Sequence, residues 1–327
     1  MWLVAAAAIA AVAVLALPAA REPFDDDNKG TIFVSVASYR DSDCIETIRN
    51  MFESADRPEQ LYVGICEQNS AEAKEACVPG EFKWNHRVRR LTIPHMEAKG
   101  PTYARYLCST LYRDETYFCQ IDSHTRFVKG WDAKSVACLK RCPDPAKAVL
   151  TNYPHDWDQH TDTGTKDVPV LCKSKFDDNG ILTFEAVSIA PSATPKPVPF
   201  VSGGFVFAPG TMVRDVPYDP HLPHLFQGEE ILYSARLWTS GYNFYTPTEN
   251  LVYHKYGREE SPKFWGEVPG FNEAQAATLD KVRGILAGTL RPKTHGLGAA
   301  RGIKAYWAFV DADPVAKVSK SEAKFCK

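Results

Sequence analysis

One stretch near the start of the polar part of the chain constrains the fold more than any other. Thr31 to Ala37 (TIFVSVA) is an uncharged run rich in β-branched and aromatic residues. Such a run reads as a strand buried on both faces. Behind it, Cys44, Ile45, Ile48, Met51 and Phe52 recur at helical spacing, with Asp41 or Ser42 available as the cap, and Leu61 to Ile65 (LYVGI) is a second strand. Strand, helix and strand in so short a span form a βαβ unit, the opening of a parallel sheet.

The alternation continues. Val88 to Ile93 reads as a strand despite Arg89 and Arg90, Pro101 to Tyr112 as a helix, and Thr116 to Ile121 as a strand. Trp131 to Cys142 reads as a helix and Ala148 to Thr151 as a short strand, so the first half resembles part of a doubly wound α/β sheet. From Tyr153 to Pro199 the chain is rich in Pro, Asp, Thr and Lys and offers one convincing strand, Ile181 to Ile189. A helix over 229–239 and strands near 243–245 and 251–253 follow, and the Lys- and Ser-rich tail after Val315 is expected to fray.

Composition narrows the function classes. A net charge of -2 with no basic block argues against nucleic acid as the partner. Residues Trp2 to Ala20 carry no charge, and this apolar stretch is expected to be a signal-anchor, with a cleaved signal peptide as the alternative. The expected organisation is a leader over 1–20, a short linker over 21–30, a folded domain over 31–315 and a tail over 316–327. The expected location is the secretory pathway, as a Golgi single-pass type II membrane protein, with a secreted or cytoplasmic protein as the alternative. Nine cysteines suit an oxidising lumen. Their odd number leaves at least one without an intramolecular partner, and Cys108 and Cys119 read as buried thiols.

Gln120-Ile121-Asp122-Ser123-His124 carries the most chemistry. An apolar strand runs straight into Asp-x-His, so both side chains emerge at the carboxyl end of a strand, where open α/β sheets bind ligands. One carboxylate and one imidazole grip one face of a divalent cation, and this oxygen–nitrogen ligation suits Mn²⁺, with Mg²⁺ as the alternative. Taken alone, Asp-x-His is more often a turn cap beside a solvated histidine. Other segments keep it company. Arg105, in the helix that precedes the same strand, is placed to reach a diphosphate. Gly203 and Gly204 follow an extended segment and permit close backbone approach to a ligand. Glu229 and Glu230 open a helix after Gly228, and His254 ends an apolar segment, from where it is a candidate third metal ligand.

Taken together, FVSVASYRD (33–41), GPTYAR (100–105), QIDSHTRF (120–127), LTNYP (150–154), GGF, FQGEE, RLWTSGYNFYTP (236–247), VYHKY and GLGAARGIKAYWAF (296–309) resemble the polypeptide alpha-N-acetylglucosaminyltransferases. That family includes cytoplasmic hydroxyproline-modifying enzymes and mucin-initiating enzymes. There is a more distant similarity to the polypeptide GalNAc transferases. The resemblance implies a glycosyltransferase A-type α/β fold, Rossmann-like, with a single mixed central sheet and helices on both faces. It also implies UDP-GlcNAc as donor, Mn²⁺ or Mg²⁺ as cofactor, retention of anomeric configuration, and transfer to a Thr, Ser or hydroxyproline hydroxyl of a protein, mucin-like acceptors included. On that likeness Asp122, His124 and His254 are metal ligands. Ser38, Tyr39, Arg40, Arg105 and Asp122 are nucleotide and diphosphate contacts. Gly203, Gly204, Glu229 and Glu230 line the sugar and acceptor site, with Glu229, Glu230 and Asp122 as the residues serving the reaction. The apolar leader departs from the cytoplasmic enzymes and favours a lumenal acceptor. Two other readings compete: another UDP-sugar or a glycan acceptor on the same scaffold, and an inactive carbohydrate-binding protein.

Overall fold

The computed structural model describes residues 30–71, 75–157, 166–258 and 260–327. The expected leader and nearly all of the expected linker lie outside them. Among the described residues no helix is long and apolar enough to cross a membrane.

The opening run forms β1 (Ile32–Tyr39), with Ile32 to Val36 all buried. α1 (Cys44–Ser54) follows and buries Cys44, Thr47, Ile48, Met51 and Phe52 along one stripe. β2 (Leu61–Asn69) and β3 (Val88–Pro94) extend the parallel set. β3 tolerates its arginines because it is an edge strand with no fully buried residue. Arg89 pairs there with Glu115 at 2.6 Å. α2 (Pro101–Ser109) crosses this part of the sheet over Gly64. A Cβ at Gly64 would stand 2.3 Å from the Phe33 ring and 3.3 Å from the Cys108 carbonyl, so only glycine lets helix and sheet meet so closely.

Next come β4 (Tyr117–Asp122), β5 (Thr125–Phe127), α3 (Trp131–Lys140), β6 (Ala148–Thr151) and β7 (His155–Asp156). The segment expected to hold one strand contains more structure. β8 (Val168–Phe176) and β9 (Leu182–Ile189) pair as an antiparallel hairpin, and β10 (Lys196–Val198) follows. Pro169 and the lysines break the apolar pattern of β8 in sequence, while pairing with β9 and burial of Val168 to Cys172 hold it in the fold.

The chain continues through β11 (Phe205–Pro209), α4 (Met212–Asp215), α5 (Glu229–Thr239), β12 (Asn243–Thr246) and β13 (Val252–His254). It ends with α6 (Phe264–Glu267), α7 (Phe271–Leu286), α8 (Ile303–Val310), the β14 (Ala312–Asp313) and β15 (Val318–Ser319) pair, and α9 (Ser321–Phe325).

Eight strands form one mixed sheet in the order β10-β12-β6-β11-β4-β1-β2-β3. β3, β2, β1 and β4 run parallel, whereas β11 is antiparallel to both its neighbours, β4 and β6. Strand alternation sends Phe33, Phe118, Val206 and Phe244 to one apolar cluster with residues of α5, α7 and α8. Ile32, Val34, Val36, Phe205 and Phe207 go to another cluster with residues of α1 and α3. Helices therefore cover both faces of a single mixed sheet, the glycosyltransferase A-type arrangement.

The tail is tied down rather than frayed. Cys326 forms a disulfide with Cys172 on β8, and Ser174 shares its hydroxyl with Ser319 and Ser321 at 2.6 and 2.8 Å. A second disulfide joins Cys44 to Cys77. Cys66, Cys108, Cys119, Cys138 and Cys142 are buried free thiols, as expected for Cys108 and Cys119.

Candidate functional site

β1 lies between β2 and β4, and the chain leaves these two neighbours in different directions around the sheet. The carboxyl ends of β1 and β4 thus flank a crevice at a topological switch point. A cavity of about 500 Å³ opens there, lined by residues that include Tyr39, Arg105, Asp122, His124, Gly203 and His254.

Local structure explains why three distant side chains meet in it. Asp122 ends β4 and His124 lies in the turn to β5. β13 pairs antiparallel with β5, with His254 opposite Thr125, and the Lys255 amide donates to the His124 carbonyl at 3.1 Å. This pairing sets the two imidazoles edge to face with ring centroids 4.5 Å apart. His254 Nε2 lies 3.1 Å from Asp122 Oδ2, and one ligand atom from each of Asp122, His124 and His254 lies within 4.8 Å of the others. One carboxylate and two imidazoles at this spacing fit a Mn²⁺-type ion, which accepts mixed oxygen and nitrogen donors.

Asp41 completes the arrangement from behind. It is buried, and its Oδ2 accepts from Ser123 at 2.5 Å and lies 2.8 Å from His124 Nδ1. On its other side His124 Nε2 lies 3.2 Å from Arg258 Nη1. Guanidinium only donates, so Nε2 is the acceptor and the proton sits on Nδ1, donated to Asp41. That tautomer leaves Nε2 unprotonated, so it is the atom a cation would take in place of Arg258, while Asp41 orients the ring as outer carboxylates do around metals. Burial lowers the pKa of His124, against the pull of Asp41, which favours this neutral form. For Asp41 burial opposes ionisation, yet the hydrogen bond from His124 prevails and holds its carboxyl at about 2. Burial likewise opposes ionisation of Asp122, but His254 and the Arg105 charge hold it below the usual carboxylate range.

Arg105 is the hub on the opposite wall. It is buried and forks between Glu229 and Asp122, the latter at 3.2 Å, while also donating to the Gly203 carbonyl at 3.0 Å. Gln120 Nε2 donates to that same carbonyl at 2.7 Å, and the Tyr218 hydroxyl holds the Gln120 amide in place. A Cβ at Gly203 would come within 3.0 Å of the Arg105 guanidinium, and one at Gly204 within 3.4 Å of Asp122. Gly228, at φ +98°, turns the chain into α5 so that Glu229 and Glu230 face this wall. Burial pushes Glu230 up to about 7, even though the Tyr153 hydroxyl and the Gly203 amide both donate to it.

Of the three residues read at the end of β1, Tyr39 lines the cavity and donates to Glu267 on α6 at 2.7 Å. Ser38 is fully buried, and Arg40 turns away to pair with Glu75 and Glu267. Arg258 and Tyr218 enter the site with no signal in the sequence, while Asp41, Gln120 and Tyr153 lie within the quoted motifs but carry no site role there. Asp41 had a local signal, but only as a helix cap.

One of the solved structures that match this chain supports the fold. The structure of GalNAc-T7 with UDP, GalNAc and Mn²⁺ matches with a TM-score of 0.57 at 14% identity, covering 86% of this chain and 57% of that one. S. aureus TarS 1–349 in complex with UDP-GlcNAc gives 0.48 at 13% identity, over 76% of this chain and 65% of TarS. The chain thus spans less than two thirds of each. No curated protein sequence matches it. Residues 31–83 and 78–316 match the profile of the family described as Glycosyltransferase (GlcNAc), and the chain belongs to that family.

Proposed function

We propose that this chain is a metal-dependent, retaining glycosyltransferase that moves GlcNAc from UDP-GlcNAc to a Thr, Ser or hydroxyproline hydroxyl of a protein acceptor. The observation that carries this reading is the meeting of Asp122, His124 and His254 within 4.8 Å at the end of β4, on the wall of a cavity of about 500 Å³. A bound Mn²⁺ or Mg²⁺ supplies charge neutralisation for a diphosphate leaving group. The rest falls to the protein. Arg105, with its charge balanced by Glu229 and Asp122, keeps the Gly203 carbonyl and the acidic ligand in register. The Gly203–Gly204 backbone lets Arg105 and Asp122 pack against the cavity wall, and Glu230 lines the same cavity as a partner for a sugar hydroxyl. Positioning and preset charges of this kind supply most of the rate where the leaving group departs readily. Two disulfides support an oxidising compartment, consistent with a protein of the secretory pathway.

The test incubates purified chain with a panel of UDP-sugars, Mn²⁺ and peptides bearing Thr, Ser or hydroxyproline. A mass gain of one N-acetylhexosamine from UDP-GlcNAc, lost on chelation and in Asp122→Ala, is the expected result. Transfer that survives chelation overturns the metal role, and transfer from another donor alone overturns the GlcNAc assignment.

A further inference from the structure

Among the described residues a second group converges as the cavity triad does: Asp219, His221 and His295, with one ligand atom from each within 4.8 Å of the others. It lies outside the cavity. Asp219 and His221 belong to the connection between α4 and α5, and His295 to that between α7 and α8. Asp219 is buried, and its Oδ1 accepts the His221 backbone amide at 2.8 Å, which fixes that residue beside the carboxylate. His295 Nδ1 faces the same Oδ1 at 3.8 Å, and the two imidazoles sit edge to face with centroids 6.0 Å apart.

Two features of His295 call for an explanation. Its Nδ1 is buried without a hydrogen-bond partner, a state that native structures usually relieve with a water or an ion. Its backbone is left-handed, at φ +59°, a conformation that non-glycine residues keep where something else holds them. Bonds of about 2.0–2.2 Å to a tetrahedral ion place two ligand atoms about 3.4 Å apart, so the 3.8 Å gap closes with a shift of a few tenths of an ångström.

Two cations stand nearby. Buried Arg236 is committed to the Gly296 and Pro217 carbonyls at 3.3 and 2.7 Å. Lys281 on α7 reaches Asp219 Oδ2 and the His221 carbonyl, each at 3.1 Å. Lys281 therefore balances Asp219 through the oxygen that does not face His295.

We propose that Asp219, His221 and His295 form a second, structural metal site for a first-row divalent transition ion such as Zn²⁺, with Lys281 on the other carboxylate oxygen as a competing positive charge. Two imidazoles and one carboxylate are a donor set that suits a first-row divalent transition ion. The ion would staple the long α7–α8 connection to the α4–α5 loop. Tyr218, next to Asp219, holds the Gln120 amide that supports the Gly203 carbonyl, so the staple steadies one wall of the cavity.

The experiment uses the tag-free full chain carrying Asp122→Ala and His254→Ala, which silences the cavity triad. Zn²⁺ binding is measured by equilibrium dialysis, and Co²⁺ binding by its visible absorption. One Zn²⁺ per chain with an imidazole-type Co²⁺ spectrum is expected. Adding His221→Ala, an exposed position, or His295→Gly, which suits the left-handed backbone, weakens binding by about tenfold or more, at least as much as loss of an outer partner does. Lys281→Ala tightens it. Circular dichroism confirms that each variant folds. Absence of Zn²⁺ binding in the silenced chain, or unchanged affinity in both His221→Ala and His295→Gly, overturns the site. Weaker binding in Lys281→Ala overturns the competing role of its charge.

Discussion

His254 Nε2 stands 3.1 Å from Asp122 Oδ2 although 132 residues separate them in sequence. The β5–β13 pairing closes that gap, so the candidate metal centre depends on a register as much as on ligand identity. His254→Ala is expected to weaken Mn²⁺ binding by more than about 100-fold, beyond the roughly 10–100-fold typical of losing an outer partner. Mn²⁺ titration of UDP binding reads this directly, and an unchanged Mn²⁺ requirement counts against His254 as a ligand.

Asp41 tests the outer layer. It acts through His124, so Asp41→Asn is expected to raise the Mn²⁺ concentration needed for activity by about 10–100-fold, with saturating Mn²⁺ restoring turnover. A purely structural role would lower the melting temperature and leave the Mn²⁺ requirement unmoved.

Arg105 and Glu229 form a buried pair, and each makes the other tolerable. Arg105→Met leaves the Glu229 carboxylate unpaired and is expected to cost about 3–5 kcal/mol of stability. Adding Glu229→Gln should recover a large part of that loss. Additive effects in denaturant unfolding of the double variant would show that the two are not coupled.

Glu230 carries a pH signature. Its carboxyl is raised from 4.5 to about 7 in the folded chain, first by burial. The folded state therefore holds the proton more tightly, and stability falls as pH rises from the unfolded value through about 7. Glu230→Gln removes this dependence, so the stability of the variant relative to the wild type should rise by about 1–3 kcal/mol between pH 4.5 and 8. Parallel pH curves for the two proteins would contradict the shift.

Cys172 and Cys326 anchor the tail across 154 residues. Replacing both with Ser is expected to destabilise the oxidised protein by about 2–4 kcal/mol. Equal melting temperatures with and without reductant in the wild type would contradict it.

What could be read from sequence follows from how each feature is encoded. β1, β4 and α5 have local signals, an apolar run or a helical stripe, and those signals survive in one dimension. Asp122 and His124 were visible because they sit at the end of such a run. β8 was hidden by Pro169 and its lysines, and its strand character comes from pairing with β9. The tail reads as frayed in sequence because its hold on the fold is a disulfide and shared serine hydroxyls, which have no periodicity. Asp41 and Arg258 reach His124 from 83 and 134 residues away, and nothing local to either marks that contact. At the end of β1 the opposite happened. The residues were visible, but which of Ser38, Tyr39 and Arg40 faces the cavity depends on the strand's pleat and on Glu75 and Glu267.

Calorimetric titration of UDP into the chelator-treated chain, with and without Mn²⁺, and into Asp122→Ala, His124→Ala and His254→Ala, tests the central claim most directly. Saturable UDP binding only when Mn²⁺ is present, and its loss in all three variants, is the predicted result. Equal UDP binding without the metal, or in the three variants with it, would contradict the account.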